Sequence, residues 1–100
     1  MILHINTENQ KVIRVALKED GKVISELSKE NEYGSQVLLP LIMELLKTEN
    51  LKLKTLQGIE VETGPGSFTG IRIGVSVANA LGFSLGIPVN GKKMETNLVY

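Results

Sequence analysis

Residues 61–74, VETGPGSFTGIRIG, combine the residue types and spacing most suited to chemistry. Gly64, Gly66 and Gly70 stand with Pro65, Ser67 and Thr69 between an apolar run that reads as a strand and one that reads as a helix. Backbone N–H groups at such a strand-to-helix turn carry partial positive charge and suit an anion. Ser67, Thr69 and Arg72 could add donors. Gly64, Gly66, Ser67, Thr69, Gly70 and Arg72 therefore form a candidate anion loop. The specific phosphate motifs fail, however. A P-loop places Lys after its last glycine, and here Ile71 and Arg72 follow Gly70. The dinucleotide fingerprint G-x-G-x-x-G fits Gly64 and Gly66 but meets Thr69 at its third position. The competing reading is architectural, with Ser67 or Thr69 as the N-cap of the following helix.

Other chemistry is thinly supplied. The single histidine, His4, sits in a short apolar run, where a lone histidine is more often structural than functional. Cysteine is absent, which excludes disulfides and thiolate metal sites and is compatible with a reducing compartment. There is no histidine pair for a metal. Ser67 lacks the G-x-S-x-G surroundings of a nucleophile elbow. Glu60 and Glu62 lie two apart on a strand, hence on one face, and a solvated edge explains them more simply than acid–base catalysis. No catalytic residue, metal or cofactor is expected.

The elements that position these residues follow from periodicity. Residues 2–5 and 23–28 read as strands, and in 11–18 Ile13, Val15 and Leu17 share one face. Asp20-Gly21 is a two-residue hairpin signal. Residues 33–50 read as a helix with Ser35 as N-cap and Pro40 near its first turns, where a kink is expected. Between Val37 and Leu46 only Pro40 and Glu44 interrupt the apolar residues, so this helix should bury more than one face, wrapped either by its own domain or by a partner. A strand at 58–62, a helix at 69–86 and a fifth strand at 87–91 follow, and the tail could begin a further helix. The order β-β-β-α-β-α-β predicts an α/β domain with a mixed five-stranded sheet: an antiparallel three-strand meander plus two parallel strands. The polar alternation suggests two layers, with both helices on one side.

In the second helix Gly70, Gly74, Ala78, Gly82 and Gly86 recur every four residues. Interior glycine costs a helix roughly 1 kcal/mol against alanine, so close packing should offset it. The approaching element is either the first helix or a helix of a partner chain. The length of 100 residues fits one domain. Lys plus Arg and Asp plus Glu are both 11, and this zero net charge argues against broad nucleic-acid binding. No apolar run reads as long enough to span a membrane, so a soluble cytoplasmic domain is expected.

The segment GPGSFTGIRIGVSVANALG (64–82), following a strand and opening a helix, closely resembles the signature of the TsaB/YeaZ family. GSQVLLPLIMELL upstream, ILHINT with VALKEDGKVI at the start, and IPVNG after the second helix resemble that family's other elements in order. The resemblance covers essentially the whole chain. It implies a ribonuclease-H-like, actin-like ATPase half-domain. It implies a non-catalytic partner subunit that supports TsaD in placing threonylcarbamoyl on an adenosine beside the tRNA anticodon, with the ATPase TsaE joining the pair and tRNA contacted only indirectly. The heterodimer would form through the two helices, with Leu38, Leu39, Ile42 and Leu45 of the first and Ile71, Gly74, Val75, Ala78, Asn79 and Gly82 of the second sharing core and interface duties. A homodimer through the same helices is an alternative when TsaD is absent.

Three departures bear on that expectation. Asn6-Thr7 stands where the family commonly has Asp-Thr, which removes a Mg²⁺ contact. Gly34, Ser35 and Gln36 stand where metal-binding TsaD relatives carry paired histidines. Both changes argue against catalysis. Family members are also about twice this long, so residues 1–100 read as the first lobe without the second, whether as a fragment or a minimal homologue. The rival from another class is an ATPase or kinase half-domain that holds nucleotide phosphate at the glycine loop.

Overall fold

Alternating apolar residues dictate the sheet. The computed structural model describes residues 1–9, 11–30 and 34–99, with backbone alone at 34 and 35. The expected N-cap role of Ser35 therefore lies outside the described residues. Strands β1 (Ile2–Asn6), β2 (Val12–Glu19) and β3 (Lys22–Glu30) form the antiparallel meander. Asp20 and Gly21 turn the β2–β3 hairpin with φ of 53° and 77°, as a two-residue primed turn requires. Strand β4 (Gly58–Val61) adds parallel to β1, giving the order β3-β2-β1-β4.

The register places Leu3 between Leu17 and Ile59, and Ile5 between Val15 and Val61. These residues and Ile13 line one face and are buried. The helices α1 (Gly34–Thr48) and α2 (Phe68–Leu85) cover that face. Helix α1 contributes Leu38, Leu41, Ile42, Leu45 and Leu46 to the core, and α2 contributes Ile71, Val75 and Ala78. The opposite sheet face is polar and carries His4, Arg14, Lys18 and Glu60. The domain thus has two layers, with apolar burial supplying the driving force.

The fifth strand is shorter than expected. Val89 alone bridges Ile59 in parallel. Its flanks explain why. Pro88 has no N–H, although its carbonyl accepts from Ile59 N at 2.9 Å. Asn90 and Gly91 then take φ of 52° and 75° and fold the chain back, with Val89 and Lys92 exchanging backbone hydrogen bonds of 2.7 and 3.0 Å. The sheet has four strands and one bridge.

Two further expectations change. Within this chain helix α1, continuous across Pro40, buries one face only: Leu39 and Met43 stay 44% and 45% exposed. The domain does not wrap this helix. Helix α2 spans 18 residues with a mean hydropathy of 1.3, long and apolar enough to cross a membrane by length and composition. That corrects the reading that no run reaches such a length. It packs here as a core helix, yet only 33% of the segment is buried.

Candidate functional site

The glycine loop is built around Glu8. Gly64 adopts a φ of 110°, open to glycine and strained for other residues, and its N–H donates to Glu8 Oε2 at 3.1 Å. Ser67 N–H donates to the Glu8 carbonyl at 2.8 Å. A Cβ on Gly66 would lie 2.8 Å from both Glu8 Cβ and its carbonyl oxygen, so glycine permits the approach. Ser67, rather than Thr69, is the N-cap: its hydroxyl accepts from Gly70 N at 3.2 Å, and its carbonyl accepts from Ile71 N at 2.9 Å. Four N–H groups of the turn thus have partners inside the chain. The negative charge at the turn is the Glu8 carboxylate, which would repel a phosphate. Thr69 is exposed. Arg72 is exposed too, on the outer surface of α2, where its guanidinium lies 5.1 Å from the centre of the Phe68 ring.

The small-residue row of α2 packs on the sheet. A Cβ at Gly70 would strike the Thr7 carbonyl oxygen, and one at Gly74 would strike Thr7 Oγ1. The buried Thr7 hydroxyl donates to the Gly70 carbonyl at 2.6 Å. A Cβ at Gly82 would approach Val89 Cγ2 to 2.6 Å and the Ile87 carbonyl to 3.0 Å. The elements that need this close approach are therefore the end of β1 and the segment after α2. The first helix is not among the nearest atoms that these Cβ positions would meet.

This packing sorts the ten residues expected to share core and interface duties. Leu38, Ile42, Leu45, Ile71, Val75 and Ala78 are core residues, and Gly74 and Gly82 are buried beside them. Asn79 is half-buried and tied to the tail. Leu39 alone presents substantial apolar surface. The exposed apolar side chains of the helices are instead Leu39 and Met43 of α1 and Phe68 and Phe83 of α2, with Phe83 87% exposed. Ile73 and Val77 are partly buried beside them, and a shallow groove of about 370 Å³ runs along this part of α2.

Two polar clusters have no local signal in the sequence. On the open sheet face His4 Nδ1 lies 2.9 Å from Glu60 Oε1, and His4 Nε2 lies 2.9 Å from Glu62 Oε1. Lys18 Nζ donates to the same Glu60 oxygen at 2.8 Å. These hydrogen bonds from Lys18 and His4 hold the Glu60 carboxyl below its ordinary value. The acidic pair is thus partnered rather than simply solvated. The parallel register that sets His4 opposite Glu60 is a long-range fact that no local spacing reports.

The second cluster centres on Glu95, which is 6% exposed. Its carboxylate accepts from Lys92 Nζ and Asn90 Nδ2 at 2.8 Å each, and from Thr96 N at 3.0 Å. Those bonds, Lys92 first, lower its pKa from 4.5 to about 2. Asn79 exchanges two hydrogen bonds with the Glu95 backbone, at 2.9 and 2.8 Å. Asn90 also brackets Val61 through bonds of 2.9 and 3.0 Å. The cluster pins the tail to β4 and α2. Among the described residues no group of three His, Cys, Asp or Glu side chains is arranged to hold a metal.

Comparison with known proteins places this architecture. Residues 9–92 match the family model described as "TsaD: tRNA N6-adenosine threonylcarbamoyltransferase". The chain is 35% identical over 96 residues to the tRNA threonylcarbamoyladenosine biosynthesis protein TsaB of Bacillus subtilis, covering 95% of this chain and 42% of that protein. It is 33% identical over 90 residues to TsaB of Escherichia coli, covering 90% of this chain and 38% of that one. The solved structure of YeaZ from Pseudomonas aeruginosa superposes with a TM-score of 0.79 at 32% identity, over 88% of this chain and 42% of that chain. The chain thus spans about two fifths of the length of these relatives.

Proposed function

This chain belongs to the TsaB/YeaZ family, within the threonylcarbamoyltransferase family model it matches, and from that premise we propose that it is a non-catalytic partner subunit supporting TsaD in threonylcarbamoyladenosine modification of tRNA. The observation that carries this reading is the apolar surface left on α1 and α2 by a domain whose core is already complete. Exposed Leu, Met and Phe side chains on helices mark surfaces that a partner covers. In this reading residues 1–100 form the first lobe of an actin-like ATPase fold, TsaE joins through the complex, tRNA is contacted through TsaD, and the work is done in the cytoplasm.

The interface is assigned to Leu39, Met43, Ile73, Val77 and Phe83 rather than to the buried face of each helix. Ala78→Arg and Gly82→Arg therefore test the fold and not the interface. The nucleotide-binding alternative is disfavoured by Glu8, whose carboxylate sits at the turn a phosphate would need. The deciding experiment is co-purification with the cognate TsaD, followed by a tRNA modification assay with and without this chain. Stable co-elution and a gain in modified adenosine are expected. Micromolar, Mg²⁺-dependent ATP binding by the chain alone, with no TsaD binding, would overturn the proposal.

A further inference from the structure

We propose that Arg72 reads a carboxylate on the docking helix of the partner, so that the α2 face selects a helix carrying Asp or Glu among apolar residues. This rests on the docking role proposed above and names what chemistry the face accepts. Arg72 and Phe68 lie one helical turn apart on α2, and the guanidinium rests over the ring, 5.1 Å from its centre. Phe68 is 54% exposed, so the pair stands on the surface and not in the core. Together with Ile73 and Val77 they line one groove. Cation–π contact at an exposed site contributes only about 0.5–1 kcal/mol, which biases the guanidinium toward stacking on the ring.

A guanidinium stacked in an apolar groove suits a planar-bonding anion, and the one an unmodified protein helix carries is a carboxylate. The guanidinium N–H donors form a planar fork that takes a carboxylate in two parallel hydrogen bonds. Among the described residues no carboxylate forms an ion pair with Arg72; the ion pairs belong to His4, Lys18 and Lys92. Among the described residues Arg72 is also the only charged side chain lining this groove. Covering it with an apolar surface would strand a desolvated charge, which costs more than the surrounding contacts return. A partner that buries this groove must therefore bring a negative group to Arg72. Sequence spacing alone assigns Arg72 to the glycine loop as an anion donor. The fold moves it to the helix surface, where the anion it suits is a side chain of another protein.

The test is the affinity of the full chain for the full-length cognate TsaD, at low and physiological salt, for the parent, Arg72→Met, Arg72→Glu and Leu39→Glu. Both positions, 72 and 39, are exposed, and unchanged thermal midpoints would confirm folding. Arg72→Met should weaken binding by about tenfold and flatten its salt dependence, because the ion pair is removed while the stem still packs. Arg72→Glu should weaken it by more than about a hundredfold. A single Asp or Glu→Arg change on the TsaD helix should restore binding to Arg72→Glu, as charge reversal predicts. If Leu39→Glu abolishes binding while both Arg72 variants bind like the parent with the same salt dependence, the Arg72 proposal is wrong and the docking role stands. If every variant binds like the parent, the docking face itself is misplaced, and the Arg72 proposal falls with it.

Discussion

At the scale of single residues, Glu95 makes the sharpest claim. A carboxylate this buried is tolerable only because charged and polar donors surround it. Its pKa of about 2, against 4.5 for an ordinary glutamate, means the folded state favours the ionised form. The stabilisation is then fully present above about pH 4.5 and is lost as pH falls toward 2. Glu60, also lowered, works in the same direction. Replacing Glu95 by Gln should reduce stability by about 1–3 kcal/mol near pH 7. In urea unfolding at a series of pH values, the gap between parent and E95Q should narrow steadily below pH 4.5. A gap that stays constant to pH 3 would mean that the carboxylate charge does not contribute. Glu8 predicts an effect of another kind. Glu8→Ala removes the acceptor of the Gly64 N–H and the negative charge at the turn, but leaves the Glu8 carbonyl that receives Ser67 N. The turn should persist, and weak binding of inorganic phosphate should appear in titrations of the variant that is absent from the parent.

At the scale of elements, the close contact between α2 and the end of β1 explains two glycines together. Gly74→Ala places a methyl group against Thr7 Oγ1 and Cγ2, an overpacking that costs about 1–3 kcal/mol. Thr7→Ala removes both obstructing atoms. The double variant should therefore be clearly more stable than the sum of the two single losses predicts, a coupling that thermal or chemical denaturation of all four proteins would measure. Additive losses would show that the helix does not sit on Thr7. The same contact shows what the sequence could and could not convey. Period-two alternation revealed the faces of β2 and β4, and Asp20-Gly21 revealed the hairpin, because both signals are local. The four-residue repeat of small side chains correctly announced a close approach, but not its partner. Thr7 and Gly70 are 63 positions apart, and nothing at either site names the other. Which apolar helix residues enter the core is hidden for a related reason. An apolar run such as Val37–Leu46 says that much is hydrophobic, whereas the angle at which the helix meets the sheet decides that Leu38 and Ile42 go inside and Leu39 and Met43 stay out. His4, Glu60 and Glu95 gained partners through register and tail placement, which composition does not encode.

At the scale of the whole molecule, the balance between a closed core and an open helix face governs behaviour in solution. A chain of 100 residues buries only about two thirds of its unfolded surface, and here the remainder includes Leu39, Met43, Phe68 and Phe83. Zero net charge gives little electrostatic repulsion to keep copies apart. Alone, the chain should therefore self-associate weakly through these helices, and sedimentation should show an average mass that rises with concentration. The cognate TsaD would compete for the same face. Equimolar TsaD should convert the mixture to a single one-to-one species, and the thermal midpoint of the chain should climb with TsaD concentration, because a ligand of the folded state stabilises it by mass action. The double variant Leu39→Glu/Phe83→Glu separates surface from core. Both side chains are exposed, so folding should survive, while self-association and TsaD binding should disappear together. Loss of self-association with TsaD binding intact would place the two contacts on different surfaces and would confine the α1 and α2 face to contacts between copies of this chain.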